Sequence, residues 1–169
     1  MSHSKAFTPA HIIYLSPENV HRIPRQPGTY ALLFNVSTEM DIPVGRLGIL
    51  RLQPGHYVYI GSARGPGGLA GRVQRHLRAE KRLHWHIDYI TQHLTPNGIL
   101  FTTHPLVKEC DWVHYLLEAP DTEVPLPGLG SSDCRAGCPA HFLRVGPTTF
   151  SQLLCTSTGG QKPCLHLTV

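Results

Sequence analysis

From Thr29 to Val36 the chain is mostly apolar and of strand length. Opened by the Pro27-Gly28 turn signal, this run predicts a strand in the middle of a sheet. Val44 to Leu52 is a second strand candidate, its apolar positions interleaved with Gly45, Arg46 and Arg51. Pro54-Gly55 then turns into Tyr57-Val58-Tyr59-Ile60-Gly61, a run of high β-propensity, and these two runs are expected to form a hairpin. Past the loop Gly65-Pro66-Gly67-Gly68 the period changes. Leu69, Val73, His76 and Leu77 fall on one face of a helix running from Leu69 to about Glu80, with Arg72 and Arg75 flanking it. Trp85 to Leu94 reads as a second helix that stops at Pro96-Asn97-Gly98. Ile99 to Thr103 reads as a strand. Leu106 to Leu117 reads as a helix carrying Val107, Cys110, Val113, His114 and Leu117 on one face. Pro125 to Pro139 is expected as a structured loop, and His141 to Val145 as the last strand.

This order predicts an α+β domain. Its sheet is small and largely antiparallel, a three-stranded core plus an extra hairpin strand, with helices packed on it. The expected boundaries are a loosely ordered lead-in over 1–25 with room for one edge strand at Ile12-Ile13-Tyr14-Leu15, the domain over 26–146, and a partly ordered tail over 147–169.

Composition changes this picture little. A chain of 169 residues with 41% hydrophobic content can bury a core as one domain. With 16 Gly, 15 Pro and only 15% charged residues it should be rich in turns. No apolar run reaches the ~20 residues that span a bilayer, so no membrane role is expected. Five cysteines, an odd number, and an N-terminus without a secretory pattern favour a reduced, cytoplasmic setting. The net charge of +4 permits a polyanionic partner without requiring one. Its distribution says more: Arg64, Arg72, Arg75, Arg78, Lys81 and Arg82 lie in one short stretch containing a single acid, Glu80, with His76, His84 and His86 in or just beyond it.

The candidate chemistry begins with the tyrosines. Tyr57 and Tyr59 are two apart on a strand and share a face. A phenol, with a pKa of about 10, is a poor base unaided, but beside a guanidinium or a metal-bound water it can hold or deprotonate a nucleophilic water. Arg72 and His76, four apart, share a helix face. A guanidinium suits the charge that builds up in phosphoryl transfer, and a histidine can donate to a phosphate oxygen or orient a water. Glu109, near the start of the last clear helix, could hold Mg²⁺ beside a phosphate through one carboxylate and several waters.

Two further groups have ligand-like spacing. His84, His86 and Asp88 would face one way only on an extended segment; on a helix only His84 and Asp88 would. A structural or phosphate-contacting role is the expectation there. Cys134, Cys138 and His141 approach zinc spacing and need a fourth ligand, for which Cys110 is a candidate. Buried thiols in a tight loop are the preferred reading, with zinc less favoured. Cys155 and Cys164 look incidental.

Taken in order, these residues resemble the GIY-YIG nuclease superfamily. Gly28-Thr29-Tyr30 stands where that family has its first tripeptide, and Tyr59-Ile60-Gly61 matches the second. Arg72 and His76 match the helix pair, and Glu109 the metal-binding glutamate. The strings Tyr59-Ile60-Gly61-Ser62-Ala63, Gly65-Pro66-Gly67-Gly68-Leu69, His84-Trp85-His86-Ile87-Asp88-Tyr89 and Gly130-Ser131-Ser132-Asp133-Cys134 resemble one branch of it, found alone or attached to base-excision DNA glycosylases. The resemblance covers about Gly28 to Val145. It implies a metal-dependent endonuclease that hydrolyses DNA phosphodiesters in repair or processing. Glu109 would anchor one Mg²⁺ or Mn²⁺. Tyr30, aided by Tyr59 or Tyr57, would activate a water. Arg72 would stabilise the pentacovalent phosphorus, with His76 at a phosphate oxygen. Arg64, Arg75, Arg78, Lys81, Arg82, His84 and His86 would contact DNA. A base-excision glycosylase is an implied partner. The gap between the two tripeptides is longer than is typical of the family. The alternative is a non-catalytic nucleic-acid-binding accessory module with a degenerate site.

Overall fold

The computed structural model describes residues 12–156. Its main sheet has six strands: β1 (Ile13–Leu15), β2 (Gly28–Val36), β5 (Gly55–Ala63), β6 (Gly98–Thr102), β7 (Thr122–Glu123) and β8 (Phe142–Val145), in the order β1-β6-β2-β5-β8-β7. Every pairing is antiparallel. The α+β class is as expected, but the sheet is larger. Part of the predicted lead-in, Ile13–Leu15, adds an edge strand to β6, and the short β7 adds the other edge.

The predicted hairpin is placed differently. Met40–Val44 (β3) pairs with Gly48–Leu52 (β4) in a separate two-stranded sheet. The Tyr57–Gly61 run lies in β5 and pairs instead with β2 along its full length. The reason is burial. In β2 all residues but Asn35 are buried, and the neighbouring stretch of β5 from Tyr57 to Gly61 is buried too. Such strands need apolar cover on both faces and a partner of matching length. β3 and β4 alternate buried and exposed residues and need only one covered face.

Period-two alternation splits the core. Tyr30, Leu32, Phe34 and Val36 point into one layer, with Tyr57 and Tyr59. That layer is closed by α1 (Gly68–Leu77) through Leu69 and Val73, by α2 (His86–Thr91) through Ile87 and Ile90, and by the β3-β4 hairpin. Ala31, Leu33, Val58 and Ile60 point to the other side, onto α3 (Glu109–Leu117) and α4 (Pro147–Thr156). The sheet is therefore sandwiched between two layers.

A fourth helix lies within the stretch expected as a partly ordered tail. Over 147–156 the chain is an amphipathic helix that buries Thr149, Phe150 and Leu153. The Phe150 ring stacks on His56 at 4.1 Å, and the Thr149 hydroxyl donates to Asp121 at 2.5 Å. A Ser/Thr-rich texture hid two apolar anchors one turn apart. The rest of the predicted tail and residues 1–11 lie outside the described residues, as does Cys164. Among the described residues no helix is long and apolar enough to cross a membrane.

Phe150→Ala should cost about 3 kcal/mol and Leu153→Ala about 2–3 kcal/mol. Both should lower the urea midpoint without changing the slope of the transition. Melting like the unmodified protein would mean that this helix does not belong to the core.

Candidate active site and thiol cluster

A cleft of about 1010 Å³ opens where β2 begins and β5 ends. The pairing of Tyr30 with Gly61 sets this end of the sheet, and Tyr30, Tyr59, Gly61 and Ser62 line the cleft from it. Arg72 enters from α1, Trp85 and His86 from the start of α2, and Glu109 from the first turn of α3. The segment 130–136 forms a further wall.

Gly61 has a steric reason to be glycine. A Cβ there would sit 2.6 Å from the Tyr30 hydroxyl. Gly61→Ala therefore drives the phenol out of its place and should cost about 1–3 kcal/mol of stability, read by denaturant titration. The Tyr30 hydroxyl lies 2.7 Å from His76 Nε2 and also interacts with the Tyr59 hydroxyl. Burial, more than any neighbouring charge, raises both phenols above their ordinary range.

Behind His76 stands Asp88, whose side chain has no exposed surface. His76 Nδ1 is 3.6 Å from Asp88 Oδ1, too long for a full hydrogen bond, so the carboxylate acts on the ring mainly through space. Arg75 grips the same carboxylate with both terminal nitrogens at 2.9–3.1 Å. Asp88 also accepts the backbone N–H groups of His84 and Trp85 at 2.9 and 3.0 Å, as the acid in the first turn of α2. Burial alone would raise this carboxyl. The nearby His76 ring, together with the hydrogen bonds from Arg75 and the Trp85 and His84 backbones, outweighs it and holds the group far below the usual carboxylate range. Burial lowers the His76 pKa, while Asp88 works in the opposite direction. A neutral ring with its proton on Nδ1, facing Asp88, leaves Nε2 free to accept from Tyr30.

The Trp85 indole carries two guanidinium groups, Arg72 at 4.2 Å and Arg75 at 4.1 Å from its centre. Arg72 faces the cleft from this seat, whereas Arg75 is committed to Asp88 and to the Arg82 carbonyl.

The predicted residues divide as follows. Tyr30, Tyr59, Arg72 and Glu109 meet in one cleft, and His76 touches it through Tyr30. Tyr57 does not: it is buried further along β5, with its hydroxyl donating to the Gln53 carbonyl at 2.9 Å. Lys81 is tied to the His76 carbonyl and the Thr91 hydroxyl, and like Arg75 it serves the fold rather than a free basic surface. Arg78 and Arg82 are exposed outside the cleft. Arg64 and His84 are exposed within it, and Arg64 also donates to the Val107 carbonyl. His86 accepts the Gly130 N–H at 3.1 Å, which ties α2 to the loop wall. Asp88 is spent on Arg75 and the backbone, so the His84-His86-Asp88 alternation forms no ligand group. Sequence reasoning missed Asp88 as a site residue, and it missed Lys108 and Arg135, two cations lining the cleft. The acid in the first turn of a helix four residues beyond His84 was the available signal for Asp88.

Cys110, Cys134, Cys138 and His141 converge, each offering a donor atom within 4.8 Å of the others. They could hold a metal ion, and a donor set of three thiols and an imidazole suits zinc better than magnesium. The convergence favours the alternative weighed from the spacing, with Cys110 arriving from α3 as the fourth donor, over thiols merely buried in a loop.

Stability should decline on the acid side in two stages. His76 binds its proton less readily in the fold, so the unfolded chain protonates first as pH falls through 6.5. His56, also depressed by burial, adds to that stage. Asp88 adds a second loss below 3.8, where the unfolded carboxyl protonates while the folded one resists. The urea midpoint against pH should show both stages, with His76→Gln reducing the upper and Asp88→Asn removing part of the lower. Asp88→Asn should also cost about 3 kcal/mol at neutral pH by leaving Arg75 unpaired. A midpoint flat between pH 7 and 5 would contradict the burial of neutral His76.

No curated protein and no solved structure matches this chain. The model of the family described as Domain of unknown function DUF123 matches residues 29–159, most of the sequence, and the chain belongs to that family.

Proposed function

We propose that this protein is a metal-dependent DNA endonuclease of GIY-YIG type. The observation that carries the reading is the 2.7 Å contact between Tyr30 and His76, at a cleft that Arg72, Tyr59 and Glu109 share. Five chemistry-bearing groups from β2, β5, α1 and α3 come together around it, in an arrangement suited to phosphodiester hydrolysis. A core that only needed filling would not place a guanidinium and a carboxylate beside two phenols.

Tyr30 donates to His76 Nε2, and Asp88 stabilises the imidazolium that forms if the phenol proton moves across. The phenolate left behind can take a proton from an attacking water. Arg72, fixed on Trp85, presents its donors to the phosphate and to the charge that grows on it. Glu109 is the cleft carboxylate that would hold one Mg²⁺ or Mn²⁺, with waters completing the shell; Asp111 also lines the cleft but accepts the Lys108 backbone N–H at 2.8 Å. A divalent ion held there would supply Lewis acidity to a bound phosphate. Arg64, Lys108 and Arg135 would contact the DNA backbone. DNA repair or processing is the proposed setting, with a base-excision glycosylase as a partner.

One observation favours a second reading, a DNA-binding accessory module without turnover. The Tyr30 side chain is only 1% exposed and its pKa is raised, which makes it a reluctant base.

Plasmid nicking in Mg²⁺ or Mn²⁺ separates the two. Tyr30→Phe and Glu109→Gln should each lower the rate at least ~100-fold, and Arg72→Ala by a similar factor, while binding persists. Cleavage should weaken as pH falls and His76 takes a proton. Salt-sensitive binding without nicking would select the accessory module, and no binding at any ionic strength would overturn both readings.

A further inference from the structure

Three thiols and one buried imidazole sit together beside the cleft. Cys110 is on the first turn of α3, Cys134 and Cys138 are in the 128–141 loop, and His141 immediately precedes β8. The sulfurs of Cys110 and Cys134 are 3.5 Å apart. Zinc–sulfur bonds of about 2.3 Å set sulfur–sulfur edges of roughly 3.8 Å in a tetrahedron. The four donors, none more than 4.8 Å from another, already approximate the corners of such a figure. His141 supplies an independent observation. Its ring is 5% exposed, and its Nε2 has no hydrogen-bond partner. A buried polar atom without a partner is costly, by about 1–3 kcal/mol, and calls for a ligand.

We propose that Cys110, Cys134, Cys138 and His141 bind one zinc ion as a closed structural site, distinct from the divalent-ion site proposed at Glu109. Binding releases the thiol protons and leaves three thiolates and a neutral imidazole around Zn²⁺. All four positions are filled by protein, so no place is left for a water or a substrate, which makes the site structural rather than catalytic.

The ion would fasten two parts of the cleft wall. Cys110 adjoins Glu109, and the loop carrying Cys134 and Cys138 includes Gly130, which donates to His86. Without the ion the loop's ties include the backbone bonds from Gly128 to Pro139, from His141 to Leu129 and from Ile60 to His141, and the Gly130 bond to His86, while its links to α3 are sulfur contacts, Cys110 to Cys134 at 3.5 Å and Cys138 to His114 Nε2 at 3.8 Å. Zinc therefore joins the start of α3 to the loop. The positioning of Glu109 in catalysis rests on the nuclease reading; the ion and its ligands do not.

The test uses the full chain without DNA. Protein produced with zinc in the medium should carry one zinc per chain by mass spectrometry of the metal. Exchange for Co²⁺ should give intense thiolate-to-cobalt charge transfer and the visible bands of a tetrahedral site. Cys134→Ser and His141→Gln should each weaken zinc binding at least ~10-fold, as measured by chelator competition. Zinc removal should increase hydrogen exchange over 128–141 and the first turn of α3 and lower the melting temperature. Glu109→Gln should keep its zinc, which separates this site from the nuclease reading. If the ligand variants fail to fold, the unmodified protein still decides through its cobalt spectrum. Absence of thiolate-to-cobalt bands, or a Cys110–Cys134 disulfide in the freshly isolated protein, would overturn the proposal.

Discussion

Asp88 carries a charge with no exposed surface, and much of the cleft's geometry depends on how that charge is satisfied. A buried carboxylate is tolerated only when its oxygens are fully engaged. Here two nitrogens of Arg75 and two backbone N–H groups do this, and they come from α1 and from the entry to α2. The carboxylate therefore ties the two helices together. Through Arg75 it also fixes the Trp85 indole, and through Trp85 the seat of Arg72. Its remaining field falls on His76, and His76 holds Tyr30. One buried charge thus orients a cation, an imidazole and a phenol.

The cleft draws on both layers of the sandwich. Tyr30, Tyr59 and Arg72 belong to the side closed by α1 and α2, whereas Glu109 and Cys110 come from α3 on the other side. They meet because the sheet ends there: β2 begins at Gly28 and β5 finishes at Ala63 directly opposite. At Gly28 an added Cβ would come within 2.3 Å of the Thr102 carbonyl. Backbone at Gly28 is therefore packed too closely for a side chain there. The same cleft is lined by the Glu109 carboxylate and by Cys110 and Cys134 of the thiol cluster.

The sequence showed clearly what repeats locally. The strands β2, β5, β6 and β8 and the helices α1, α2 and α3 all carry periodic apolar patterns, and each was placed to within a few residues. It was less clear about pairing. Val44 to Leu52 and Tyr57 to Gly61 are separated by a turn and look like a hairpin, but the demand of doubly buried β2 for a long, equally buried partner takes β5 away. That demand is long-range and has no local signature. The site shows the same division. Tyr30, Tyr59, Arg72, His76 and Glu109 could be singled out by residue type and spacing. Tyr57 could not be told from Tyr59, because both share a strand face, and only distance along β5 separates the one bonded to Gln53 from the one beside Tyr30. The helix basics looked alike as well, until Arg75 and Lys81 proved to be engaged inside the fold.

Burial and reactivity pull against each other at Tyr30. Removal from water makes the phenol a weaker acid, so a free phenolate is costly there. The same burial lowers the His76 pKa and keeps the ring neutral, with a lone pair toward the hydroxyl. Neither group would be useful alone: the phenol holds its proton and the imidazole declines another. Coupled at 2.7 Å, with Asp88 behind, the pair can shift one proton without creating an unpaired charge, because the imidazolium forms against a carboxylate and the phenolate forms on the side where Arg72 stands. In the proposed reaction the charge separation occurs only when a phosphate and its water complete the cleft. That makes the burial of Tyr30 compatible with a base that is held in reserve until substrate arrives.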